Sequence, residues 1–340
     1  MRFGFMEDFR NPVKWRRPGP AFYREIMDQI VRAEELGYDN VWLTEHHFTE
    51  DGYNPALMPT MTAIATRTSR IRIGSFILLL PFIHPVRAAE DLVCADILSN
   101  GRIDYGIGQG YSYHEWNAFC MNRSERGLRM REGIDLMTRL FTEEKVTFDG
   151  RFTQVKDMTL SPKPVQQPYP PIWIGARGPK AIKRAAEMGY HLMATLGPDP
   201  APLYLQTLKD TGRNPDDFKI CQLRMVYCAE TEDKAWAECQ HHLFHLFDFY
   251  QDILSEANDA EGDDTPLPIT RAEDIRHSPL AESMMIGTPA QVARKMDAFC
   301  STYKCTDFIM DCQFPGMDPK LGTRSLELFA QEVMPAFRQR

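Results

Sequence analysis

The sequence predicts a single (β/α)8 barrel of the α/β class, spanning residues 1–340. Three observations carry that expectation. Short apolar strands alternate with amphipathic helices eight times, and no break in composition divides the chain. Residues 7–14 hold no glycine, whereas a doubly wound sheet would place its glycine-rich phosphate loop there.

The elements follow in order. Arg2 to Met6 is a short strand, and Tyr23 to Leu36 is a helix with Ile26, Ile30 and Ala33 on one face and Gly37 at its end. Asn40 to Leu43 is the second strand, and Leu57, Met61, Ile64 and Ala65 form the stripe of the next helix. Ile71 to Leu79 is almost unbroken in apolar character, as expected of a strand buried on both faces of a parallel sheet. A helix runs from His84-Pro85 to Asn100-Gly101. Ile103 to Gly108 is strand four, and Met130, Ile134, Met137 and Phe141 mark the helix after it. A hairpin near 146–153 interrupts the alternation, with Asp149-Gly150 suited to a tight turn of positive φ.

Alternation resumes with strand Pro171 to Ile174, helix Pro179 to Met188, strand His191 to Ala194 and helix Ala201 to Asp210. Strand Phe218 to Cys228 then leads into a long helix from Thr231 to Leu254. The acidic, turn-rich segment near 258–285 reads as a mobile insertion. Thr288 caps a helix that has Pro289 at its first position. Strand Phe308 to Asp311 and helix Leu321 to Phe337 complete the eighth unit.

Composition narrows the function. With 39 basic and 47 acidic side chains the net charge is −8, which argues against nucleic acid as a partner. The longest apolar run, Ile73 to Ile83, is broken by Gly74, Ser75 and Pro81 and is far short of the ~20 residues of a membrane span. Glu7-Asp8 comes too early for a secretory leader. Eight scattered cysteines without a Cys-x-x-Cys pair suit free thiols in a reducing compartment, so a cytoplasmic protein is expected.

Reactive residues of such a barrel follow the C-terminal ends of its strands. After strand two comes Thr44-Glu45-His46-His47-Phe48-Thr49-Glu50, whose histidines suit acid–base groups, metal ligands or polar loop residues; adjacent histidines point apart, so joint chelation of one metal is awkward. Strand four ends in Gly106-Ile107-Gly108-Gln109-Gly110-Tyr111, where alternate glycines let backbone approach a flat ligand or make a tight barrel turn. Strand five ends in Gly175-Ala176-Arg177-Gly178-Pro179, which suits a phosphate at a helix start or a plain βα loop. His241 and His245 have the i, i+4 spacing of a metal pair but lack the glutamate of a zincin helix, so no metal site is expected.

At Glu45-His46-His47-Phe48-Thr49-Glu50 the chain resembles the flavin-dependent monooxygenases of the bacterial luciferase-like superfamily. The likeness extends through Ile73-Gly74-Ser75, Leu80-Pro81, His84 to Asp91, Ser99 to Arg102, Tyr111 to Trp116, Pro171 to Ile174 and Gly287-Thr288-Pro289. The resemblance implies a (β/α)8 barrel and FMN, used reduced and supplied by a separate flavin reductase. O2 would then oxidise a small or medium organic substrate through a flavin hydroperoxide. It makes His46 the catalytic acid–base group, a role that suits the pKa of an imidazole, and leaves His47 structural.

The resemblance also places Ser75, Phe76 and Ile77 along the isoalloxazine, often with a cis peptide, and puts Gly108 and Gln109 beside the flavin. Ala176, Arg177 and Gly178 form the phosphate turn, joined by Arg126 or, alternatively, Arg129; Tyr111 and Tyr113 are assigned to substrate. Phe76 is bulkier than the residue of luciferase itself, and Gly108-Gln109 replace its Cys and Arg, which counts against light emission. Pairing into a homodimer is expected through the helix bearing Met58, Met61, Ala63 and Ala65. Two other functions stay open: a deazaflavin-dependent oxidoreductase of the same fold, and a non-catalytic flavin-binding protein, which would be expected to lack His46.

Overall fold

The computed structural model describes residues 1–195, 197–257 and 269–338. Its elements are β1 (Arg2–Glu7), α1 (Gly19–Glu35), β2 (Asn40–Leu43), α2 (Leu57–Arg67), β3 (Arg72–Ser75), β4 (Leu78–Leu79), α3 (Pro85–Ser99), β5 (Ile103–Gly108), α4 (Tyr113–Ala118), α5 (Arg126–Thr142), β6 (Val146–Asp149) and β7 (Gln154–Met158). There follow β8 (Ile172–Gly175), α6 (Pro179–Met188), β9 (His191–Ala194), α7 (Ala201–Asp210), β10 (Ile220–Cys228), α8 (Glu232–Ala257), α9 (Leu280–Ser283), β11 (Met285–Gly287), α10 (Pro289–Thr302), β12 (Asp307–Asp311), α11 (Pro319–Leu328) and α12 (Met334–Arg338).

Eight strands close into a parallel barrel in the order β1, β2, β3, β5, β8, β9, β10, β12 and back to β1. Side chains alternate across each strand. Phe3, Phe5, Val41, Leu43, Phe308 and Met310 point outward into the core shared with the helices. Met6, Trp42, Trp173, Met193, Cys221 and Ile309 fill the interior. Trp42 and Trp173 meet edge to face at 5.5 Å. Their indole N–H groups donate to Asn40 Oδ1 at 2.7 Å and Asp104 Oδ1 at 3.2 Å, so the interior is packed and both indoles are paired.

Four expectations need correction. The strand expected from Ile71 to Leu79 is split into β3 and β4, because the Phe76–Ile77 peptide is cis and turns both side chains into the barrel. The hairpin is present as β6 and β7, but Gly150 does not take a positive φ. Instead Glu132 of α5 accepts the N–H groups of Arg151, Phe152 and Thr153 at 2.7–2.9 Å and holds the turn from outside.

The insertion expected to be mobile lies outside the described residues over 258–268. Beyond it Ile275 and Ala281 are buried against Trp236, Leu243 and Leu246, so that part is packed rather than loose. Met61 and Ala65, expected to face a partner, are buried in the chain's own core. No described helix is long and apolar enough to cross a membrane.

Because Trp42 fills the barrel axis with no exposure, Trp42→Ala should lower the unfolding free energy by about 3–5 kcal/mol. Urea unfolding checks this, and a loss under about 1 kcal/mol would mean that the interior is loosely packed.

Candidate active site

The C-terminal ends of β1, β2, β3, β5 and β8 and one face of α8 surround a mouth built from parts distant in sequence. His46 follows β2 and is nearly buried. Its Nδ1 lies 2.9 Å from Glu115 Oε1. A carboxylate only accepts, so Nδ1 carries a proton, and in the neutral ring Nε2 is the nitrogen left to accept. Tyr111 Oη stands 3.2 Å from Nε2, and burial pushes the Tyr111 hydroxyl well above its usual pKa, so it stays protonated and donates.

Glu115 is placed by its helix: Ser112 caps α4 and accepts the Glu115 N–H. The same carboxylate oxygen accepts the His47 N–H at 2.8 Å. The His47 ring turns away to Glu45, 3.3 Å from its carboxylate, and stands edge-on to Phe119. Glu45 in turn accepts the Leu79 N–H at 2.6 Å, tying the strand-two loop to β4. Around His46 stand the rings of Tyr53, Tyr111, Phe249 and Tyr250, at 4.8–6.2 Å.

The structure brings Ser75, Phe76, Ile77 and Gly108 together at the floor. Ser75 Oγ donates to Gly106 O at 2.7 Å. The glycines of β5 and β8 make room for the chain itself: a Cβ on Gly108 or Gly175 would strike the Ile77 side chain, and one on Gly106 would strike Ser75 O and Met193. Phe76, Leu223 and Met225 keep 7–9 % exposure while Cys221 and Ile309 below them have none, so the interior opens toward the C-terminal side.

Arg126 lines a cavity of about 290 Å³ with Gln109, Ser124, Gly127, Arg131 and Arg184. Arg184 reaches Gln109 Oε1 at 3.4 Å. Arg129 is engaged elsewhere, paired with Glu125 at 2.9 Å and stacked on Phe152. Ala176 bonds to β9 through its N–H. Exposed Arg177 and half-buried Gly178 stand at the head of α6, whose first turn has no side-chain cap, and neither lines that cavity. Tyr113 is 39 % exposed and lies under the Arg123 guanidinium, away from His46.

Opposite the arginines the mouth is acidic. Burial, with Asp8 and Asp311 nearby, pushes Glu7 well up; burial and Asp8 do the same to Asp311. Burial raises Asp8 to about 6 against the pull of Arg10. Burial opposes ionisation of Asp51 too, but His245 and Arg10 hold it down at about 2. Among the described residues no group of three His, Cys, Asp or Glu could hold a metal ion; His242 bonds to Pro315 O and His245 faces Asp51.

Sequence reasoning missed Glu115, Arg10, Tyr53, Phe249, Tyr250, Arg131 and Arg184 as members of this mouth. Glu115 lies in the Tyr111 to Trp116 stretch that carries the resemblance, three residues after the N-cap Ser112, and that position could have flagged it. Nothing local distinguishes the others.

A family model described as luciferase-like monooxygenase matches residues 1–303. The oxygenase component of a flavin-dependent trigonelline monooxygenase of Acinetobacter baylyi is 27% identical over 336 residues, 93% of this chain and 90% of that protein. An F420-dependent glucose-6-phosphate dehydrogenase of Nakamurella multipartita is 27% identical over 340 residues, 94% and 93% of the two chains. The crystal structure of the monooxygenase RslO1 from Streptomyces bottropensis matches with a TM-score of 0.85 and 25% identity, over 99% of this chain and 100% of that one. Flavin and deazaflavin enzymes therefore both stand among the relatives.

The acidic wall sets a pH dependence. The folded pKa of Asp8, about 6, lies above its ordinary 3.8. Its contribution to stability is therefore complete below pH ~4 and is lost as pH rises through ~6. Asp8→Asn keeps an acceptor for the Arg10 N–H, so it should leave stability at pH 4 nearly unchanged and raise it at pH 8 by about 2–3 kcal/mol. Urea unfolding at both pH values checks this; an equal effect at both would remove Asp8 from the titration.

Proposed function

The chain belongs to the luciferase-like monooxygenase family, and on that premise we propose that it is an FMN-dependent monooxygenase oxidising a small or medium organic substrate with O2. One observation carries this choice. His46 is held by Glu115 on one side, meets the Tyr111 hydroxyl on the other, and is walled by aromatic rings. The rings shield His46 from water and suit an apolar substrate body, whereas the acidic side chains of the mouth would repel a sugar phosphate.

The residues present fit FMN. Arg126, Arg131 and Arg184 converge on a cavity of phosphate-binding character, and guanidinium forks match phosphate oxygens. The floor at Phe76, Ile77 and Gly108 offers a flat surface to a ring system. Reduced flavin, when bound, supplies the two electrons that let one atom of O2 enter the substrate while the other leaves as water. The chain's own part is to hold a proton at the His46–Tyr111 pair: Glu115 keeps Nδ1 protonated, so proton exchange with the mouth passes through Nε2 and Tyr111 Oη. The relative named as an oxygenase component supports delivery of reduced FMN by a separate reductase.

His46→Ala should leave the FMN dissociation constant within about twofold, because His46 lies apart from the arginine cavity. It should cost roughly 10²–10⁴-fold in coupled oxidation and release hydrogen peroxide instead. Arg126→Ala and Arg184→Ala should each weaken FMN about 10–100-fold, the loss of a charge-assisted hydrogen bond. Fluorescence titration with FMN, followed by aerobic assay with a turned-over substrate, tests both halves. Unchanged coupling in His46→Ala removes it from the chemistry, and unchanged FMN affinity in both arginine variants moves the phosphate elsewhere.

A further inference from the structure

Arg10, on the turn leaving β1, is 1 % exposed. The chain bends sharply to deliver it: Phe9 takes a φ of 57°, and Asp8 Oδ1 accepts the Arg10 N–H at 2.9 Å. Its Nε donates to Asp51 Oδ2 at 2.5 Å. The guanidinium lies over the Phe249 ring, 4.1 Å from its centroid, and 5.1 Å from that of Tyr53. Nη1 and Nη2 are buried, and neither has a hydrogen-bond partner among the described residues.

Those two nitrogens carry four donors. Buried donors of a charged group left unpaired are costly, more so than those of a neutral one. A fold that only needed to fill this space would do better with an apolar side chain. Phe249 and Tyr53 are also rings that flank His46, at 6.0 and 4.8 Å, so the fork and the imidazole border the same two rings.

Charge decides what the fork accepts. Asp51 already neutralises Arg10, and Asp8 adds negative charge above pH ~6. A second anion would be repelled; a carbonyl oxygen accepts from both nitrogens and brings no charge. The flanking rings suit a flat body.

We infer that Arg10 is the substrate-anchoring residue of the mouth, its Nη1 and Nη2 gripping the carbonyl oxygen of a neutral, flat organic substrate held toward His46. The inference rests on the mouth being the substrate chamber of the proposed oxygenase.

Binding of three probes, acetophenone, ethylbenzene and benzoate, is measured at pH 7 by saturation-transfer NMR. The proteins are the wild type, Arg10→Lys and the double variant Arg10→Met/Asp51→Asn, which removes both charges together. Wild type should bind acetophenone about tenfold or more tightly than ethylbenzene, the worth of paired hydrogen bonds to a charged donor. The double variant should cut that preference below about threefold with ethylbenzene unchanged. Where its melting curve shows that it does not fold, Arg10→Lys must show a comparable loss, since it keeps the charge without the fork. An equal preference in all proteins overturns the role of Arg10, and tighter binding of benzoate than of acetophenone overturns the neutral substrate. FMN titration of the same wild-type sample reads the proposed function separately: failure there leaves the probe result standing.

Discussion

The Glu115 carboxylate is the constraint on which the mouth depends. One of its oxygens accepts both the His46 ring and the His47 backbone N–H, so a side chain from α4 fixes the loop that leaves β2. The capped start of α4 sets where that oxygen lies, and the same short stretch brings Tyr111 to the other side of the imidazole. Loss of Glu115 would leave two buried donors unpaired, each worth roughly 1–3 kcal/mol. The loop would then lose its register, and the histidine its tautomer. Strand, loop and helix are thus tied by one acceptor.

Around that tie the mouth divides by charge. Arg126, Arg131 and Arg184 gather on the side of α5 and α6, while Glu7, Asp8, Asp51 and Asp311 gather where β1 meets β12 and the strand-two loop. A chain of net charge −8 therefore keeps a local cationic cavity. Aromatic rings from the β2 loop, the β5 loop and α8 separate the two regions and surround His46. On the proposed function, this arrangement would give an anionic cofactor group and a neutral substrate separate places in one barrel.

Much of this was legible in the sequence because the barrel strands are buried on both faces. The run Phe308 to Met310 is apolar without interruption, and the intervening helices carry clear stripes. The break within Ile71 to Leu79 was not legible from residue type, since a change of direction at Phe76–Ile77 depends on neighbouring strands; only the family resemblance pointed to a cis peptide there. The glycines of β5 and β8 were visible, yet their reason was not: they accommodate Ile77 and Met193, side chains from other strands. His46 stood out as a local motif. Arg10, Tyr53 and Phe249 did not, because they meet only when β1, the β2 loop and α8 close on one another, up to 239 positions apart in the chain. Met61 and Ala65 show the opposite failure: small or flexible apolar residues suit a partner's surface and a protein's own core equally well.

The central claim is that Glu115 holds the neutral His46 ring with its proton on Nδ1, so that Nε2 faces Tyr111 and the mouth. Long-range proton–nitrogen correlation NMR on protein labelled with 15N-histidine at pH 8, with His46 assigned by its loss in His46→Gln, measures this directly. The account predicts a protonated Nδ1 and a bare Nε2 for His46. A proton on Nε2, or a ring averaging between the two tautomers as free histidine does, would contradict it.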